Sequence, residues 1–415
     1  MKEKMEIPEN GKDDVEHAEI SESRNGNRMD VLSENKGRKR KSGVFRRLLK
    51  LKRLWLILFF PAGLLLLWLA GQSQYFAEMI YARGIFKGIS QGLAAVTGLV
   101  PFSIAECLVI AAPFAAVLIL ALWIAGIVRH RGERVFRVLR GAVNVLCAGA
   151  LVYFIYVTGC GINYYRYPFS YFVGLEVRPS SAEELAALCS ELALQANELR
   201  AGLPENEDGV YEMSMSIGEL GEEVVLAYEN AKETWEILGG KYPAPKAVYF
   251  SRVMSKTELT GIYTCFTMEA NVNVDVSDYS IASTMCHEEA HLRGFIREDE
   301  ANYISWLVCG KSDNAEVRYS GVMEALILVG NALYRKNPDL YSEVRATYSE
   351  QVNADLRANS EYWAQFEDTV ISNTATTLND AYLKANNQSD GVQSYGRMVD
   401  LLLAEYRART EETEK

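Results

Sequence analysis

Only four histidines occur in the 415-residue chain, and two of them, His287 and His291, stand four residues apart with Glu288 directly after the first. On a helix, positions i and i+4 share a face, so both imidazoles of His287-Glu288-Glu289-Ala290-His291 can offer a nitrogen to one divalent ion. Zinc lowers the pKa of a bound water to roughly 7 and polarises a carbonyl, and a neighbouring carboxylate can move the water's proton to a leaving amine. The pattern points to Zn2+ as cofactor and to peptide-bond hydrolysis, with His287 and His291 as ligands and Glu288 as general base. The competing reading is a metal that stiffens a non-catalytic receptor or assembly protein of the cell envelope.

A catalytic zinc needs a third protein ligand and an open position. After His291, Gly294 permits a sharp turn, beyond which Glu298, Asp299 and Glu300 can bring a carboxylate back on a second helix. Arg297 occupies the place of the third histidine in the HExxHxxGxxH pattern, so a three-histidine site is excluded. Acids that do not ligate would still favour the start of that helix through its dipole. Glu269 and Asn271 lie on a strand before the metal helix; if it is the sheet's edge, a peptide substrate can pair there, and if not it is an ordinary core strand. Tyr319 can donate to a tetrahedral oxyanion or simply pack in a helix.

These residues need a scaffold, and the sequence predicts a mainly α domain with a small β-sheet (α+β). Ser181 and Glu184 form a capping box opening a helix to about Arg200, and a second helix is expected over Ile217 to Leu238. Ala247 to Phe250 and Gly261 to Val276 are rich in Val, Tyr, Phe and Thr and suggest the sheet. Helices resume near Ser283, with Ser283 and Thr284 as candidate caps, and continue toward the C-terminus. Seven cysteines without a CxxC pair do not make a disulfide scaffold.

Upstream lies an apolar region with three candidate spans, about 54–70, 104–128 and 141–159. The loop joining the last two carries Arg129, Arg131, Arg134, Arg137 and Arg140 against Glu133 alone, and a basic run from Lys36 to Arg53 precedes the first span. Positive charge stays on the cytoplasmic side, so three crossings put the domain outside. The expected organisation is a disordered basic cytoplasmic tail over 1–50, a membrane region over 51–160 and an extracytoplasmic domain over 161–415. Amphipathic patches at Tyr75 to Ile85 and Ile89 to Val96 can lie on the outer interface or cover the domain. A net charge of −11 argues against nucleic acid. Membrane lipid and a peptide or protein at the cell envelope remain as partners, and no oligomeric state follows.

Glu298-x-x-x-Asn302 resembles the ExxxD pattern of thermolysin-like gluzincins, which implies Glu298 as the ligand rather than Glu300, and Asn302 as the group orienting a ligand histidine. Asn163-Tyr164-Tyr165-Arg166, Phe266-Thr267-Met268-Glu269-Ala270-Asn271 and HExxHLRGF-x-REDEAN, behind three spans, together resemble the bacterial membrane proteins called domain of unknown function 3810. The resemblance spans about residues 50 to 400 and implies a membrane-anchored, zincin-like domain with no assigned substrate.

Overall fold

The three apolar runs become long helices, Lys52–Gln72, Ile104–Arg129 and Arg131–Gly159, each long and apolar enough to cross a bilayer. The third begins well before residue 141 because Arg134, Arg137 and Arg140 continue its helix. A computed structural model describes residues 43–386, 388, 391, 393 and 397–413. Most of the tail expected over 1–50 lies outside the described residues, while 43–49 are helical. The chain divides into two units, one with Ala116–Leu151 and the chain up to Phe59, the other with Phe60–Ala115 and Val152–Lys415. In the first unit Arg47 donates to Glu133 at 2.9 Å and lies 4.0 Å over the Phe136 ring, which ties the basic segment to the basic loop.

The second unit holds the helical domain. We label its main helices α1 (Ala182–Arg200), α2 (Ile217–Thr234), α3 (Ile281–Leu292), α4 (Glu298–Gly310), α5 (Ala315–Lys336), α6 (Pro338–Arg345), α7 (Glu350–Ala364), α8 (Val370–Ala385) and α9 (Met398–Thr413). Capping boxes open α1 (Ser181 with Glu184) and α2 (Ser216 with Glu219), satisfying N–H groups that have no partner within the helix. Leu185, Leu188 and Leu192 of α1, Val224 and Tyr228 of α2, and Met323 and Leu326 of α5 bury into one core around α3 and α4. All seven cysteines are free.

The sheet has three strands, β1 (Lys246–Ala247), β2 (Gly261–Thr264) and β3 (Glu269–Val272), in the order β1-β3-β2. Two expectations change here. Tyr249 and Phe250 leave the sheet, since Glu106 of the second span accepts both of their N–H groups, at 2.9 and 2.8 Å. The run from Gly261 folds back as a hairpin, so β3 is the central strand, parallel to β1 and antiparallel to β2. Glu269 therefore does not lie on an edge strand. Its carboxylate takes Lys246 Nζ at 2.6 Å and the Ile104 and Ala105 N–H groups at 3.0 and 2.8 Å, joining the sheet to the start of the second span. Burial raises the pKa of Glu269, but Lys246 and these N–H donors bring it below the ordinary value.

The connector after the first span covers the domain. Its helices, Phe76–Phe86 and Lys87–Thr97, bury Tyr81 and Phe86 with Met268, Ala270 and Leu292. Glu78 in this connector is fully buried and takes Arg166 through Nε at 2.7 Å and Nη2 at 3.1 Å, with Arg83 Nε at 2.8 Å. Removing one partner of such a pair strands the other, a loss of about 3–5 kcal/mol. Glu78→Ala should therefore lower the thermal midpoint of the detergent-solubilised protein clearly, whereas Arg47→Ala, at an exposed pair, should shift it little.

Candidate metal centre

Helix α3 starts at Ile281, earlier than expected, and Ser283 and Thr284 do not cap it. Their hydroxyls donate to the Ser280 carbonyl at 3.0 and 2.8 Å, while the Ser283 N–H donates to Ser320 Oγ on α5 at 2.8 Å. The shift leaves His287 and His291 one turn apart on one face, with ring centroids 4.6 Å apart and planes at 86°. Glu289 faces away from them and pairs with Arg293, whose guanidinium lies 3.6 Å over the Tyr228 ring.

Gly294 turns the chain with a φ of +83°, and a Cβ there would lie 2.9 Å from both Arg166 Nη1 and Phe86 Cε1. A side chain at this position meets both a disfavoured backbone region and occupied space. The turn delivers Glu298 as the first residue of α4. Its Oε2 lies 3.1 Å from His287 Nε2 and 3.6 Å from His291 Nε2. The other ring nitrogens are held by acceptors: His287 Nδ1 donates to Asn302 Oδ1 at 2.6 Å and His291 Nδ1 to the Phe295 carbonyl at 2.7 Å. With both Nδ1 atoms protonated, the Nε2 lone pairs and the carboxylate converge on one point.

Lone pairs and a carboxylate that converge repel one another unless a cation lies among them. Burial pushes His291 down, but Glu298 more than offsets this and carries the ring to about 9. Burial pushes Glu298 up, yet His291 and His287 hold it at about 2. The donor atoms of His287, His291 and Glu298 lie within 4.8 Å of one another, and among the described residues no other such group of three forms. Two imidazoles and one carboxylate suit zinc.

Glu288 extends into the same cleft, which measures about 620 Å³. Its Oε2 is buried without a hydrogen-bond partner, and burial raises its pKa above the ordinary value. Gly261 on β2 makes room for it, because any Cβ there would collide with the Glu288 carboxyl. β2 pairs only with β3 among the described residues, so the free edge expected of the Glu269 segment belongs to β2 instead.

The remaining sequence candidates lie elsewhere. Glu300 accepts the Phe169 N–H at 3.1 Å and pairs with Arg297 at 3.4 Å; its pKa is raised, by burial first and then by Asp299. Asn271 Nδ2 donates to the Ile262 carbonyl at 3.3 Å within the hairpin. Tyr319 is fully buried and donates to Asp355 at 2.5 Å, in a core network that includes Arg200. It is a packed tyrosine rather than an oxyanion donor.

Other residues enter the cleft that sequence reasoning passed over: Cys160, Tyr164, Tyr263, Glu324 and Tyr382. Glu324 had a visible signal, as the only charge between Tyr319 and Tyr334. Burial raises its pKa and His287 opposes the rise. Tyr164 was noticed only as part of a motif, and Tyr382 stands in a segment with no pattern around it.

A family model matches residues 81–403, most of the sequence and all of the site. The chain belongs to the family described as Protein of unknown function (DUF3810). Among curated proteins and among solved structures, nothing matches. In this DUF3810 protein, His291→Ala should abolish zinc binding measured by elemental analysis. Asn302→Ala should weaken it about 10–100-fold in a chelator competition, since groups that orient a ligand histidine contribute on that scale.

Proposed function

We propose that this DUF3810 protein is a membrane-anchored zinc metallopeptidase. The observation that carries the proposal is the convergence of His287 Nε2, His291 Nε2 and Glu298 Oε2 beside the unpartnered carboxylate oxygen of Glu288. Structural zinc sites are closed by four protein ligands, whereas catalytic ones keep three and an open position. Three donors gather here among the described residues, and the cleft reaches them, which supports the catalytic reading over a stiffening metal.

When bound, zinc would supply a Lewis acid that acidifies water and polarises a peptide carbonyl. The chain's own residues do the rest. His287, His291 and Glu298 would hold the ion, with Asn302 and the Phe295 carbonyl fixing the ring orientations. Glu288 takes a proton from water and delivers it to the departing amine, a role that suits a carboxylate whose pKa burial has raised. The free edge of β2 can receive an extended substrate by main-chain pairing, which aligns it without reading its side chains.

The basic loop between the second and third spans supports a topology with the N-terminus inside and the domain outside the cytoplasmic membrane. The substrate is then a peptide or protein at the cell envelope. Glu288→Gln should retain zinc while peptide hydrolysis falls by at least about 100-fold, the scale of a general base. Hydrolysis at the wild-type rate by zinc-loaded Glu288→Gln would remove the mechanism. Gly261→Ala, which displaces the same carboxylate, should lower kcat with zinc content unchanged.

A further inference from the structure

The cleft is built onto the end of a membrane span. The third span ends at Gly159, the next residue, Cys160, lines the cleft, and Tyr164 follows one turn later. The free strand runs between the same two landmarks. β2 begins at Gly261 against the Glu288 carboxyl, and Cys265, just past its end, packs on Gly159 so closely that a Cβ on Gly159 would lie 2.7 Å from the Cys265 Cβ. Tyr263 OH donates to the Gly159 carbonyl at 2.9 Å, which fastens the strand to the end of the span.

The opposite wall repeats the arrangement. Tyr382 of α8 lies with its ring 6.3 Å from Tyr156, inside the last turn of the span, and Tyr156 OH donates to Asn386 just beyond α8. The far end of the cleft is different in character: Thr257, Glu258, Thr376 and Asn379 line it, a polar entrance suited to water. The cleft thus leads from a polar end at Glu258 and Thr376, past Glu288, to the end of the third span at Gly159 and Cys160. Phe266, in the hairpin turn at that end, is 45% exposed, as a side chain at a lipid interface can be.

Length makes this specific. Three steps of about 3.3 Å carry β2 roughly 10 Å from Gly261 to Thr264, one residue short of Cys265 on Gly159. A chain paired along β2 therefore has only about three to five residues between the bond beside Glu288 and the membrane surface.

We infer that the substrate is a polypeptide anchored in the same membrane, cut within a few residues of the end of its own span. This rests on the hydrolase reading and adds the class of substrate to it. A bond so placed lies where the cleft meets the end of the third span.

The test uses the full-length, zinc-loaded protein in phosphatidylethanolamine and phosphatidylglycerol vesicles. A short randomised peptide segment is offered in three forms: free in solution, fused directly to an apolar span, and fused to that span through a Gly/Ser spacer of about 20 residues. Products are read by mass spectrometry, with Glu288→Gln as the blank. The two anchored forms share the same surface enrichment, so local concentration cannot separate them. The directly fused segment should be cut at least about tenfold faster than the spaced one, with cuts clustered about three to five residues from the span. Equal rates for the two anchored forms, scattered cuts, or faster cleavage of the free peptide would overturn this inference and leave hydrolysis standing. No cleavage of any form by the zinc-loaded protein would overturn the hydrolase reading and this inference with it.

Discussion

A carboxylate buried between two imidazole nitrogens needs a positive charge to be stable there, and the centre of this protein is organised by that need. Glu298 has left water for a place where its Oε2 lies 3.1 and 3.6 Å from the two Nε2 atoms. An isolated buried carboxylate is strongly disfavoured, and a proton on His291 or a metal ion in its stead removes the penalty. The hydrogen bonds at Nδ1 leave both Nε2 atoms facing Glu298, an arrangement that a proton on one ring satisfies and in which a divalent ion would meet three donors.

Holding that geometry requires support well away from it. Gly294 turns the chain between α3 and α4, and Arg166 and Phe86 approach it closely because it carries no side chain. Arg166 donates to the Arg293 carbonyl at 3.0 Å while gripping Glu78, so the connector between the first two spans reaches the turn between the ligand helices. On the other side of the sheet, Glu269 binds the start of the second span. The membrane segments are therefore parts of the site's frame and do more than tether it.

The pairing of His287 with His291 was legible because helical geometry is local: residues four apart on a helix meet whatever surrounds them. The same holds for the capping box at Ser181 and for the turn at Gly294. Sheet order was not legible. Glu269 and Asn271 look suited to an edge strand, but which strand lies in the middle depends on a hairpin at Cys265–Met268 and on pairing with Lys246–Ala247, contacts set by distant sequence. Tyr319 failed for a related reason, since its partner Asp355 lies 36 residues away. The walls contributed by Tyr164 and Tyr382 have no periodic signature, and only folding brings them together.

The distribution of acids around α3 and α4 carries one further consequence. Five glutamates are gathered here, Glu288, Glu289, Glu298, Glu300 and Glu324, and the arginines in reach are already assigned: Arg293 to Glu289 and Arg297 to Asp299 and Glu300. The acids paired with these arginines, Glu289, Asp299 and Glu300, do not line the cleft, whereas Glu288, Glu298 and Glu324 do. Pairing therefore follows location, and cation partners are supplied where structure is at stake and withheld where the cleft opens. Burial raises the pKa of both Glu288 and Glu324, as expected for carboxyls without a compensating charge. A divalent ion held by His287, His291 and Glu298 would be the strongest positive charge near either of them. It would favour their ionised forms, so the ion would both anchor the ligand helices and prepare Glu288 to accept a proton.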